Sequence, residues 1–421
     1  MLCAAPLTLL HPRLSIRTVV LVVIFHLDLD CFFVGVERVL EPSLVGRAVV
    51  VGGRADTRGV VASASYEARK FGVHAGMPLA QARRLCPQAV FLEGRYHYYE
   101  QFSDRFFRIL GDFTPDIESG GIDEAYGNMT GFEPFYGPPR EAARRLKDQV
   151  RQELGLTCTI GIAASKVVAK VASDLAKPDG LLEVPAGGEA AFLAPLPVEK
   201  LPGVGHKTAQ VLQGLGVRTL GELAALPVLR LKKLFGAWGV ALHRLAQGRD
   251  LGPLGPLPSA KSISRSTTFA RDTLDRAFLE AVLAYLSQRV GRELRETGKQ
   301  ARLVFLKLRY SDFETLSRQQ VLPQPTDMDQ VIFEVGRTLL LRQLKQRREL
   351  VRLVGVGAGG LVAGRQLPLW PDSLGELNRV LDRLRQKYGF PCLQTGRTLR
   401  LREAFPQEKE GYVLHTPCLA R

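Results

Sequence analysis

Residues 19–27 are apolar but for His26, and they run directly into Asp28-Leu29-Asp30-Cys31-Phe32-Phe33. No other stretch constrains the fold as much. It is rich in β-branched side chains, which favour strands, and it falls well short of the roughly 20 apolar residues that a membrane-crossing helix needs. The run therefore reads as a buried strand whose end carries Asp28, with the Leu29 carbonyl, to the lip of a sheet.

Around that strand the chain alternates. Residues 47–53 and 59–65 read as further strands punctuated by glycine, and a helix opens at Tyr66 and stops at Gly72. A helix over 98–111, a hairpin over 117–130, a basic helix over 140–154 and a strand over 157–163 follow. Mixed elements of this kind predict an α/β or α+β core. From Pro185 the pattern changes to short helices, and residues 250–260 have the Pro/Gly-rich, nearly chargeless composition of a linker. Residues 261–352 then carry 18 Lys and Arg against 11 Asp and Glu, an excess of 18 − 11 = +7. Within them "ARLVFLKLRY" alternates apolar with basic residues, which predicts a strand with one buried and one positive face. Residues 341–352 read as a charged, solvated helix face, and 374–389 as an amphipathic helix of no assigned role.

A second acidic pair, Asp123-Glu124, lies in the hairpin segment. Two strands of one sheet bring Asp28, Asp123 and Glu124 together, and three crowded carboxylates need compensating positive charge. Oxygen ligands favour Mg²⁺ or Mn²⁺, and a pair of such ions is the usual device for in-line phosphoryl transfer. Ser63, Tyr66 and Arg69 suit a triphosphate through hydroxyls, a guanidinium fork and a helix N-terminus, and Lys177 adds a cation. Taken singly, each acid is more often a solvated strand end, and the alternative for Lys177 is a surface helix end. Their company favours chemistry.

Whole-chain charge points the same way. The 57 Lys and Arg outnumber 42 Asp and Glu, giving +15 and an isoelectric point near 9.7, which favours a polyanionic partner, nucleic acid before an anionic membrane surface. Six cysteines are scattered without a C-x-x-C pair, as in a reducing cytosol. Residues 1–18 read as a leader without the features of a signal peptide.

The segments "HLDLDCFFVGVE", "ASYEARKFGVHAGMP", "GIDEAYGNMTG", "GIAASKVVAKVASDLAKPDG", "LPGVGHKTAQVLQGLG" and "KSISRSTTF" are collinear with those of Y-family translesion DNA polymerases of the DNA polymerase IV type, which the chain resembles over residues 20–365. The resemblance implies an α+β multidomain right hand: palm over 19–30 and 96–185, fingers over 31–95, a helical thumb over 186–250, a linker over 251–260, a little finger over 261–363, and a tail over 364–421. It implies that Asp28, Asp123, Glu124 and the Leu29 carbonyl ligate two Mg²⁺ ions, with Mn²⁺ as a substitute, and that Ser63, Tyr66, Arg69 and Lys177 hold the incoming dNTP. Phe33 is then the steric gate against a ribose 2′-hydroxyl, Phe32 is core if the backbone stays extended, and the small Ala62 and Ala64 lie over the templating base. Primer-template DNA is gripped at the helix-hairpin-helix by Gly203, Gly205 and Lys207, and farther on by Lys261 and Arg265. In the thumb motif, the competing reading is a tight turn between packed helices.

Gln366, Leu367, Leu369 and Trp370 resemble the short peptide by which bacterial polymerases grip a sliding clamp, against the alternative of a packed C-terminal segment. The expected enzyme is a cytoplasmic monomer without a membrane segment. Gly121, Gly127 and Asn128 depart from the family pattern of Ser before, and Leu-Asp after, the acidic motif. Added glycine there is expected to loosen the hairpin. A catalytically weakened homologue that only occupies DNA or the clamp is therefore the alternative, and a palm-fold nucleotide cyclase a remoter one.

Overall fold

The computed structural model describes residues 21–54, 58–250, 252–255, 259–363, 373–409, 411–412 and 414. Two compact units emerge, one built from residues up to 40 with 96–257, the other from 41–95 with 258–421.

The first unit is organised by the apolar strand Ile24–Leu29, which lies at the centre of a five-stranded sheet in the order Ile117–Ser119, Glu124–Asn128, Ile24–Leu29, Cys158–Ala163, Leu181–Glu183. It runs antiparallel to both neighbours. Phe25, Leu27 and Leu29 are buried, as is His26 on the other face, so each apolar side chain contributes about 1.5–3 kcal/mol by leaving water. Helices cover the sheet because their apolar residues recur at helical spacing. Pro139–Leu154 buries Ala142, Ala143, Leu146, Val150 and Leu154 and ends on Gly155 in the left-handed region. Lys166–Ala176 begins at an N-cap, Ser165, whose hydroxyl accepts from the Val168 amide, and buries Val167, Val168, Val171 and Ala172. Beyond residue 185, after the one-turn helix Glu189–Leu193, come four more short helices, His206–Gly214, Leu220–Ala225, Val228–Phe235 and Ala237–Ala246. The second opens with a capping box between Thr219 and Glu222.

In the second unit a three-stranded sheet, Ser63–Ala64, Val49–Val51 and Val90–Leu92, accompanies a larger one in the order Thr315–Thr326, Lys299–Tyr310, Val351–Gly359, Ser262–Thr273. The alternation in Lys299–Tyr310 is as expected: Val304, Leu306, Leu308 and Tyr310 are buried while Lys307 is exposed and Arg309 half-buried. Two long helices, Arg276–Glu296 and Asp329–Gln346, supply the other half of this core. The tail joins it too, through Phe390, Leu401, Phe405 and Tyr412.

Several expectations needed correction. Only Ser63–Ala64 of residues 59–65 pairs as a strand, and Val60 makes an isolated bridge to Pro78. The charged run at 341–352 is not one helix face: the helix stops at Gln346, and Val351 and Arg352 begin the next strand. At the start of the linker, Asp250 accepts from the amides of Lys166 and Val167 (2.6 and 3.0 Å), and within it Gly255 donates to Glu118 (3.1 Å). An extended Phe32-Phe33 is also wrong. The chain turns at Cys31, whose φ is 45°, and Phe32–Leu40 is a helix.

Candidate active site

The ends of two neighbouring central strands carry the acids. Asp28 lies opposite Glu124 in the antiparallel register, and the Leu29 amide donates to the Asp123 carbonyl at 2.9 Å, so the three carboxylates and the Leu29 carbonyl share one end of the sheet. The helix Lys166–Ala176 and its C-cap aim three ammonium groups at this edge. Lys177 Nζ lies 2.7 Å from Asp28 Oδ2 and 3.1 Å from Asp174, Lys170 donates to Glu124, and Lys166 to Glu118 at 2.9 Å. His26, two residues before Asp28 and on the same strand face, sits 3.5 Å from Glu124 Oε2, with Nδ1 2.7 Å from Ser173 Oγ. Of these cations and rings, sequence reasoning found only Lys177. The missed signal was helical: Lys170 and Lys177 are seven residues apart, two turns on one face.

The electrostatics separate the acids. Burial pushes the Asp28 carboxyl up to about 6 against the opposing pull of Lys177, with Asp123 and Glu124 adding to the rise. Asp123 is raised by burial and then by Glu124. Glu124 is held down to about 2, first by His26 and then by Lys170, against its own desolvation. Burial lowers the His26 pKa against the opposing pull of Glu124. Asp30 does a different job: buried, it accepts from Thr159 Oγ1 and the Asp179 amide, both at 2.9 Å.

Among the described residues, no three acidic, His or Cys side chains are already gathered around a common point as an ion would require. The lysines explain it, for they draw Asp28 and Glu124 to separate ammonium groups. The donor set nevertheless fits a hard divalent cation: three carboxylates and a carbonyl, anionic and all oxygen, with lysines neutralising the same atoms.

Phe33 is half-buried in the first turn of its helix and stacks on Tyr99 (4.3 Å between centroids, 12° between planes), with Tyr96 edge-on at 6.0 Å. Tyr99 in turn donates to the buried Glu37 at 2.6 Å. Phe32 is core, 2% exposed.

Ser63, Tyr66 and Arg69 belong to the second unit. Ser65 caps the short helix Tyr66–Arg69, and the Arg69 guanidinium lies 4.9 Å over the Tyr66 ring while Nε donates to the Ala64 carbonyl at 3.0 Å. Ala64 is fully buried with Val50 and Ala68, so it cannot lie over a base. Ala62 is half-buried.

Gly203 and Gly205 prove unlike each other. Gly203 has φ +87° and a Cβ there would lie 2.7 Å from the Trp238 ring, whereas Gly205 has an ordinary φ, −83°, and open space around it as N-cap of His206–Gly214. Lys207 and Lys261 are exposed. Arg265 is paired with Glu293 at 2.7 Å. The hairpin that differs from the family pattern is held firmly: Gly120 and Gly121 amides donate to the Glu124 carbonyl (2.9 and 3.2 Å), and Asn128 Oδ1 accepts from Thr130 (3.1 Å). At Gly127 a Cβ would press on Thr114 and Leu110 at 3.2 and 3.3 Å, so glycine there fits its packing. Gln366, Leu367, Leu369 and Trp370 lie outside the described residues.

Comparison with known proteins decides the family. Residues 27–174 match the impB/mucB/samB family, 260–369 that family's C-terminal domain, and 199–250 the DNA polymerase-iota thumb domain. DNA polymerase IV of Dehalococcoides mccartyi (strain CBDB1) is 49% identical over 385 residues, covering 91% of this chain and 99% of the relative. The chain belongs to the Y-family DNA polymerases. DNA polymerase IV of Moorella thermoacetica is 40% identical over 86% of the chain and 92% of the relative. Among solved structures, a Y-family chimera, Dbh-Dpo4(243-245)-Dbh, aligns with a TM-score of 0.72 at 29% identity over 81% of this chain and all of that one. An insertion ternary complex of Dbh DNA polymerase aligns at 0.57, with the same identity and coverage. As a Y-family member of the DNA polymerase IV type, the chain is a DNA-directed DNA polymerase that carries out translesion synthesis, and neither the cyclase nor the binding-only reading is favoured. Dependence on a divalent metal and action on DNA and nucleotide come with the family. No helix among the described residues is long and apolar enough to cross a membrane.

Proposed function

We propose that Asp28, Asp123, Glu124 and the Leu29 carbonyl hold two Mg²⁺ ions, which Mn²⁺ can replace, at the palm edge of this polymerase. The observation that carries it is the in-register pairing of Asp28 with Glu124 beside the Leu29–Asp123 hydrogen bond. When bound, the ions supply the charge that acidifies the primer 3′-hydroxyl and neutralises the leaving pyrophosphate. Lys177, released from Asp28, turns its ammonium to the triphosphate together with Ser63, Tyr66 and Arg69. Glu124 stays ionised throughout the physiological range because His26 and Lys170 stabilise its charge. Phe33, backed by Tyr99, fills the space a 2′-hydroxyl needs.

The division of labour follows the same reading: palm over 19–30 and 96–185, fingers over 31–95, thumb over 186–250, little finger over 261–363. Lys207, the amide at Gly205, Lys261 and Arg265 meet DNA phosphates, Arg265 by exchanging Glu293 for a phosphate. Gln366, Leu367, Leu369 and Trp370 engage a sliding clamp, and the enzyme works as a cytoplasmic monomer.

Titration with Mn²⁺ followed by electron paramagnetic resonance, in the presence of primed DNA and a non-hydrolysable dNTP, tests the metal assignment. Two bound ions in the wild type and fewer in Asp28→Asn and Glu124→Gln are expected; undiminished binding in both variants would remove these residues from the site.

A further inference from the structure

The tail helix Ser373–Tyr388 packs its polar side inward. Asn378, 1% exposed, exchanges hydrogen bonds with Gln330 at 3.2 and 3.4 Å. Arg295 holds Asp382 in a fork (2.6 and 3.1 Å), and Arg385, 4% exposed, donates to Gln288 and to the Leu393 carbonyl (3.1 and 3.3 Å). The apolar residues face outward. Leu377 is 48%, Val380 41% and Tyr388 60% exposed, with Leu384 half-buried between them. Spaced by three, four and four residues, they form one continuous stripe. A single exposed leucine is ordinary, but a stripe the length of a helix is not. Half a turn about its axis would bury the stripe. The Arg295–Asp382 ion pair and the hydrogen bonds of Asn378 and Arg385 hold the helix the other way round.

Along one edge of the stripe stand Arg379, Arg383 and Lys387, all exposed, four residues apart. Among the described residues none of the three makes an ion pair. We propose that this face docks an acidic amphipathic helix of another protein, whose apolar residues cover Leu377, Val380, Leu384 and Tyr388 and whose carboxylates meet Arg379, Arg383 and Lys387. The chain's own longer segments outside the described residues lack that chemistry: 1–20 and 415–421 contain no acidic residue, and 364–372 contains only Asp372. A second copy would set basic row near basic row in a chain of net charge +15. Nucleic acid would meet the basic row and leave the stripe in water.

Three fluorescein-labelled peptides of equal length test this by anisotropy on the full-length enzyme: leucines at helical spacing flanked by glutamates, the same flanked by lysines, and a scramble of the first. The glutamate peptide is expected to bind at least tenfold tighter than either control. Leu377→Asp and, separately, Arg383→Glu should each weaken it tenfold or more, with circular dichroism and primer extension unchanged. Arg379→Glu with Arg383→Glu should transfer preference to the lysine peptide. The proposal is overturned if the glutamate peptide does not bind, if glutamate and lysine peptides bind alike, or if Leu377→Asp binds as the wild type. Sedimentation that finds a dimer dispersed by Leu377→Asp would also overturn it, assigning the stripe to a second copy.

Discussion

Replacing each glycine of the thumb motif by alanine separates packing from DNA contact. At Gly203 the backbone is left-handed, φ +87°, and an added Cβ meets two Trp238 ring atoms at 2.7 Å. The left-handed conformation costs a non-glycine residue about 1–2 kcal/mol, and forcing a methyl into filled space costs about 1–3 more. Gly203→Ala is therefore expected to destabilise the thumb by roughly 2–5 kcal/mol. At Gly205, φ is −83° and nothing lies within 4 Å. There the unfolded-state gain of about 0.4–1 kcal/mol offsets the poorer N-cap that alanine makes, and stability should change by less than about 1 kcal/mol. Its new methyl instead stands where a phosphate would approach the helix N-terminus. Loss of one charge-assisted amide bond, about 1.5 kcal/mol or more, is roughly a tenfold loss of DNA affinity. Of the two tryptophans in the chain, Trp238 becomes the sole reporter in a Trp370→Phe background, so urea unfolding by fluorescence reads the thumb and anisotropy on primed DNA reads binding. Gly205→Ala that binds DNA normally would reduce the motif to a tight turn, and a fully stable Gly203→Ala would refute the packing estimate.

Three further outcomes are expected. Phe33→Ala should raise ribonucleotide incorporation in single-nucleotide assays while leaving dNTP insertion measurable; unchanged sugar discrimination would take Phe33 out of the gate. Because burial and acidic neighbours push Asp28 up to about 6, a proton competes with the metal below that pH. The Mg²⁺ concentration for half-maximal extension should thus climb by up to about tenfold per unit as pH falls below 6, and stay level from pH 7 upward; no change between pH 5 and 7 would contradict it. DNA affinity should fall steeply and linearly on a log–log plot with salt, since phosphate contacts dominate, and a flat line would count against the basic little-finger surface.

Much of the site was legible because it is local. An apolar run ending in Asp28, and Asp123-Glu124 in a glycine-flanked hairpin, state their chemistry in short stretches of chain. What escaped depends on packing. His26 sits among apolar residues like any strand member, and its contact with Glu124 and Ser173 exists only once three elements meet. Lys170 drew no assignment from the sequence, although its spacing from Lys177 already placed both on one helix face. Phe32-Phe33 was misread as extended because only the left-handed Cys31 starts the helix there, and no residue type announces that. For the tail helix, periodicity gave the stripe but not its direction. Arg295, Gln330 and Gln288, all distant in sequence, decide which side is buried.

The most direct test of the central claim is primer extension on a primed DNA template with Mg²⁺ and single dNTPs, comparing the wild type with Asp123→Ala. The account predicts template-directed addition by the wild type that is lost in the variant while DNA binding persists. Tight DNA binding without extension by either protein, in Mg²⁺ or Mn²⁺, would contradict it and leave an enzyme fold that acts by occupancy.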